Sequence, residues 1–163
     1  MQAFEILKSK SFVVFDTNEK SYVLIDANSA DTLEKFKAYN KSFELVLDTS
    51  NRIESYVKEL NPLAYDIIDY SEKPIVLVCS GAKNVSEKAM LPNESIQLRV
   101  VREGSLQQLI RKYRLPLVLS PISDEDRSEI PADNVIMIEH QDAFEDSGLI
   151  RLEANGRVEV IRN

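Results

Sequence analysis

The sequence predicts a mixed α/β fold of the α+β kind, a twisted mixed β-sheet covered by helices. Three observations carry this. The run "PIVLVCS" (residues 74–80) is apolar without period-2 alternation, as a strand buried on both faces is. Helix-start spacings recur between apolar strand-like runs, so helices and strands are intermingled. Hairpin patterns open and close the chain, which an all-parallel sheet does not allow.

In chain order, residues 3–9 read as a short helix feeding a strand at 12–16, whose hairpin partner is 21–26 across the polar turn Asp16 to Lys20. Asp31 and Glu34 have capping-box spacing and predict a helix over 31–39. A strand follows at 43–47. Asn51 and Glu54 repeat the spacing before "IESYVKEL", and Asn61-Pro62 ends that helix and starts another. After "PIVLVCS", a loop of about fifteen residues leads to the strand "SIQLRVV". Ser105 and Gln108 form a third box for the helix "LQQLIRKY", and "PLVLS" is a further buried strand. "NVIMIEH" reads as a strand, and "GLIRLEANGRVEVIR" as a hairpin whose Asn155-Gly156 pair suits a type I′ turn.

The 163 residues fit one domain, 1–163, with one ordinary core. Hydrophobic residues at 44% and charged residues at 29% are globular values, which argue against disorder. No run approaches a membrane span and "MQAFEILKSK" lacks a signal peptide's apolar core, so a soluble, cytoplasmic protein without a membrane partner is expected. Cys79 is the only cysteine, which excludes an intrachain disulfide and a cysteine zinc cluster; within its apolar run it reads as a buried core thiol.

The net charge of −7 opposes nonspecific attraction to nucleic acid over the whole molecule. The charge is uneven, however. Between Ser95 and Val118, Arg99, Arg102, Arg111, Lys112 and Arg114 face Glu103 alone, a local balance of +4 against −11 elsewhere. This is a candidate RNA or anion patch, and the competing reading is a helix C-terminus complemented by basic residues.

Other motifs have plainer explanations. "SDEDRSE" lacks the glycine and closing glutamate of an EF-hand loop, and Ser123 as an N-cap explains its acids; no metal site is predicted. His140 is the only histidine and sits at a strand end, where a surface residue is the simpler reading than a general base. Gly81 and Lys83 lack phosphate-loop spacing. Four polar loops, Asp16 to Lys20, Ser80 to Glu94, Ser120 to Ser123 and Asp142 to Gly148, lie at strand ends and could form one composite cleft.

The stretch "FDTNEKSYVLIDAN" resembles, without a gap, the Tyr-Pro-Thr-Asp-Thr-x-Tyr-Gly-Leu segment of the YrdC/YciO-like family of threonylcarbamoyl-adenylate synthases and the Asp-Ala-Asn that follows it. Thr17 keeps the first threonine. Asp16 replaces the proline, Asn18 the aspartate, Glu19 the second threonine and Tyr22 the glycine. "ELNPLAYDII" is similar to the family's Asn-Pro-Ala helix, "KPIVLV" to its Gly-Pro-Leu-Thr strand and "LRVV", through Arg99, to its Val-Arg-Val-Pro strand. "RLPLVLSPIS" stands where the family has Pro-Leu-Val-Ala-Thr-Ser-Ala-Asn, leaving Ser120 and Ser123 as the polar remnants around Pro121 and Ile122. Lys37 keeps one cation of a Lys-x-Arg pair and Tyr39 takes the other's place; Ser147-Gly148 stands for a Ser-Thr pair, and Arg162 matches the closing arginine.

The resemblance implies a YrdC-like fold and candidate substrate contacts at Thr17, Asn18, Lys37, Arg99, Ser120, Ser123, Ser147 and Arg162. Family members use ATP with magnesium, threonine and bicarbonate to make the precursor of a tRNA modification. With Asp16 and Glu19 adding negative charge beside a triphosphate site, the expected function is a catalytically degraded relative. It would retain a nucleotide- or RNA-binding surface for tRNA or double-stranded RNA. The rivals are an active synthase using ATP and threonine, and a protein-interaction subunit.

Overall fold

The structure, a computed structural model, describes residues 2–17, 20–37, 43–137 and 147–162, with Lys37 as backbone only. The elements run α1 (Gln2–Lys8), β1 (Phe12–Asp16), β2 (Ser21–Asp26), α2 (Ala30–Lys37), β3 (Glu44–Leu47), a 3₁₀ helix (Ser50–Ser55), α3 (Leu63–Tyr70), β4 (Ile75–Cys79), β5 (Ile96–Val100), α4 (Gly104–Tyr113), β6 (Leu117–Ile122), α5 (Asp124–Ser128), β7 (Val135–Ile136), β8 (Gly148–Leu152) and β9 (Val158–Arg162), with three further single 3₁₀ turns. Among the described residues the strands form one mixed sheet in the order β7-β1-β2-β6-β3-β5-β4-β8-β9. The pairs β1–β7, β3–β5 and β4–β8 are parallel and the rest antiparallel.

Strand alternation sends successive side chains to opposite faces and creates two cores. On one face Val14, Val23, Ile25, Leu45, Leu98, Leu77 and Leu152 meet Leu33 and Phe36 of α2, Ile53, and Ala64 and Ile68 of α3. On the other, Val13, Phe15, Leu24, Val46 and Leu119 meet Ala3 and Leu7 of α1 and Leu106, Leu109, Ile110 and Tyr113 of α4. The uninterrupted apolar run of β4 fits its place between β5 and β8.

Several local expectations are corrected. The Asn51 box gives a 3₁₀ helix rather than an α-helix, and its cap is Thr49, whose side chain accepts from the Asn51 N–H. α4 begins one residue before Ser105, at Gly104 (φ 87°), with Glu103 at the cap and no side-chain cap bond, because the glycine's left-handed backbone makes the turn. α2 starts at Ala30, so Asp31 lies inside its first turn. The closing hairpin does not use a type I′ turn, which needs positive φ at both central residues. Only Gly156 has it (φ 91°). The Gly156 N–H donates to the Glu153 carbonyl at 2.9 Å and the Glu153 N–H to the Arg157 carbonyl at 3.0 Å, a three-residue connection with the glycine at the bulge. Of "NVIMIEH", Val135–Ile136 form a strand among the described residues, with Met137 exposed beyond it; residues 138–140, His140 among them, lie outside the described residues.

Candidate functional site

The antiparallel register of β1, β2 and β6 brings the Asp16 turn and the end of β6 to one end of the sheet. Thr17 closes the turn: its hydroxyl donates to the Lys20 carbonyl at 3.0 Å and accepts from the Lys20 N–H at 3.1 Å. Asp16 does not stand as the uncompensated charge expected of it. Arg127 of α5 donates to both its oxygens, at 3.0 and 3.1 Å, and Ser21 to one at 2.6 Å. Ser123 is the predicted N-cap of α5, accepting from the Asp126 N–H at 3.1 Å, and Ser120 is fully buried in β6. Asn18 and Glu19 lie outside the described residues, as do most of the 142–148 loop and Tyr39; of Lys37 only the end-of-helix position is described.

Three of the expected contacts do come together. Arg99, on β5, is buried, and its Nη1 donates to the Ser147 hydroxyl at 2.9 Å. Arg162, on β9, donates through Nε to the Ser147 carbonyl at 3.0 Å. The residue missed from the sequence is Glu44, whose carboxylate receives Arg99 Nε at 3.0 Å and Nη2 at 2.8 Å. The parallel β3–β5 register sets Glu44 beside Gln97 and Val46 beside Arg99, so Glu44 and Arg99 point to the same face. A two-residue offset between strands fifty-five positions apart has no local sequence signal.

The basic patch resolves into separate roles. Arg102 caps the end of α3, donating to the Ser71 carbonyl at 3.0 Å and to the Ile68 carbonyl. Arg111 donates to Asp48 at 3.2 Å, Arg52 to its other oxygen at 3.2 Å, and Arg52 also to the Arg114 carbonyl at 2.9 Å. Arg114 is the left-handed C-cap of α4 (φ 68°). Lys112 lies 4.9 Å from the Phe4 ring centroid, and Lys8 of α1 lies 5.4 Å from the same ring. Packing of α1 on α4 therefore brings Lys8 beside Lys112, a neighbour that no local pattern joins to it.

Two carboxylates in these regions are held below the usual range. For Asp16 the largest cause is the hydrogen bond from Arg127; for Asp48 desolvation pushes upward, but the bonds from Arg111 and Arg52 together with its own backbone outweigh it. The native state favours their charged forms, so their stabilisation is present above about pH 4 and is lost as pH falls through the lower folded values. Urea unfolding between about pH 3 and 5 should show stability rising with pH, and Asp48→Asn should flatten part of that rise.

A cleft of about 670 Å³ opens at the ends of β4 and β8, lined by Ser80, Leu91, Asn93 and Ser95 of the long loop and by Arg151 and Asn155 of the closing hairpin. It contains one of the four expected loops and none of the residues the family resemblance singles out. Cys79, nearby, is buried and its thiol is pushed up to about 12 by burial, as a core thiol is.

No family model and no curated protein sequence matches the chain. Solved structures do. The structure of E. coli YciO superposes with a TM-score of 0.77 over 99% of this chain and 87% of that one, at 15% identity. The fold is YrdC-like. P. abyssi Sua5 complexed with L-threonine matches this YrdC-like chain with a TM-score of 0.69 at 14% identity, over 92% of this chain and 49% of Sua5, so the chain spans about half of that protein. MTH1692 from Methanobacterium thermoautotrophicum gives 0.69 at 13% identity over 99% and 84%. Identity this low carries the fold alone. Within the YrdC-like fold here, Arg99 is matched by Glu44 and Asp16 by Arg127, so these described residues do not fit a cradle of uncompensated cations for a triphosphate and its magnesium. No described helix is long and apolar enough to cross a membrane.

Proposed function

We propose that this YrdC-like chain is a non-synthesising relative that binds the phosphate backbone of a structured RNA through the face made by α1 and α4. The observation that carries the reading is that Lys8 of α1 and Lys112 of α4 stand over the same Phe4 ring, with Arg114 exposed at the end of α4, in a chain whose net charge is −7. Cations clustered on one face supply the sequence-independent part of RNA binding despite an unfavourable total charge. The fold supports a setting linked to tRNA modification, and pairing of Arg99 with Glu44 supports the loss of synthesis.

Fluorescence anisotropy with unmodified tRNA and with double-stranded RNA should show binding that weakens steeply with salt. The double variant Lys112→Ala, Arg114→Ala should weaken it for every sequence and lower the salt slope by about 1.5 to 2. A flat salt response would sink the RNA reading. Calorimetry with ATP, magnesium, threonine and bicarbonate, followed by a pyrophosphate assay, should be silent; turnover would restore the synthase.

A second reading, a protein-interaction subunit, is favoured by one observation: all five residues of β9 are exposed, Val158, Val160 and Ile161 among them.

A further inference from the structure

β9 is the last strand of the sheet, and among the described residues no strand pairs with its outer edge. A long apolar edge is normally blunted by charge, proline or a covering element. Here Val158, Val160 and Ile161 are 45%, 57% and 44% exposed. Val158 and Val160 pair with Leu152 and Ile150, so they point to the face on which α3 packs. The first residue of α3, Leu63, is 40% exposed and lies beside the β8–β9 turn: a Cβ built on Gly156 would come within 3.9 Å of its Cδ1 and 3.1 Å of Asn61 Nδ2.

Backbone directions are fixed by the hairpin. The bond from the Glu153 N–H to the Arg157 carbonyl makes 153–157 a bonded pair, and alternation makes 151–159 the next. The N–H and C=O of Val158 and Val160 therefore face outward. The register shift between Leu149 and Ile150 leaves Ile161 as an extra, bulged residue, which limits the regular edge to the stretch ending at Val160.

We propose that β9 pairs antiparallel with β9 of a second copy of this chain, with the two-fold axis at Val158, joining two sheets into one. Charge selects this register. It sets Arg157 of each copy opposite Glu159 of the other, twice, on the face away from α3. An axis at Glu159 would oppose two glutamates, and one at Val160 would run through the bulge and pair no opposite charges. Val160 of one copy falls at the turn of the other, opposite Gly156 and near the exposed Leu63, an apolar neighbour for it. The two Val158 side chains meet on the axis.

Sedimentation velocity and light scattering from about 1 to 100 µM, the range of a modest interface, test this. The expected result is a concentration-dependent dimer that Val160→Lys abolishes while circular dichroism and thermal unfolding stay as in the wild type. Arg157→Glu and Glu159→Arg should each weaken the dimer about tenfold by opposing like charges, and the double swap should restore it. The swap cannot rebuild the 3.7 Å contact between Glu159 and Arg151 of the same chain, so recovery reads the pair between copies. A monomer throughout the range overturns the proposal, and so does a dimer indifferent to all three variants.

Discussion

Arg99→Met is expected to cost about 3 kcal/mol of stability, read from urea unfolding at neutral pH. The Arg99 and Glu44 side chains are 7% and 15% exposed and are joined by a forked pair of charge-assisted hydrogen bonds. Removing the arginine leaves a carboxylate with little water and no cation in the middle of the sheet, and deletes the donor to Ser147. The double variant Arg99→Met, Glu44→Leu should recover most of the loss, since an apolar pair of similar volume replaces a buried ion pair at little cost. Recovery would identify Arg99 as a strut between β3, β5 and the chain entering β8. If Arg99→Met instead left stability unchanged and abolished a synthase activity, the site would belong to substrate.

Asp26→Ala should be comparably damaging, about 3 kcal/mol, because one carboxylate ties three elements together. It accepts from the Tyr113 hydroxyl at 2.5 Å, from Lys10 Nζ at 2.9 Å and from the Asn28 N–H at 2.8 Å, while being 1% exposed. The first partner ends α4, the second follows α1, and the third shapes the turn after β2. Burial, then the hydrogen bond to Asp26 and its charge, push the Tyr113 phenol well above its ordinary value. A raised folded value means stabilisation that is complete below the unfolded value near pH 10 and is lost as pH rises beyond it. Stability measured between about pH 8 and 11 should therefore fall more steeply in the wild type than in Tyr113→Phe. Equal slopes would show that Tyr113 is not coupled to the fold in this way.

These two residues also mark the boundary of what a linear reading reaches. The strands Phe12–Asp16 and Ser21–Asp26 were legible because apolar runs and the polar turn between them are local, and the interior place of β4 was legible from its unbroken apolar run. Ser123 was recognised as an N-cap because a cap bonds only three residues away. Capping spacing misled at Ser105, where Gly104 makes the turn with its backbone and needs no side-chain acceptor.

For the candidate site, type and place separate. Arg99, Ser147 and Arg162 were named from residue identity and resemblance, and they do meet. Their meaning changes with Glu44, which looks in the sequence like an ordinary charge opening a strand. The basic run before residue 115 was visible as composition, but whether each charge faces solvent or a carboxylate depended on Asp48 and Phe4, which belong to other elements.

The sequence by itself determined the mixed fold, the order of its elements and the residue types available for anion contact, because periodicity, turn chemistry and charge act over a few neighbouring positions. Only the tertiary structure decided which charges are spent inside the molecule and that β9 ends the sheet with its apolar edge exposed. Strand order and register are set by the simultaneous burial of two faces, a condition on the whole chain that no local window contains.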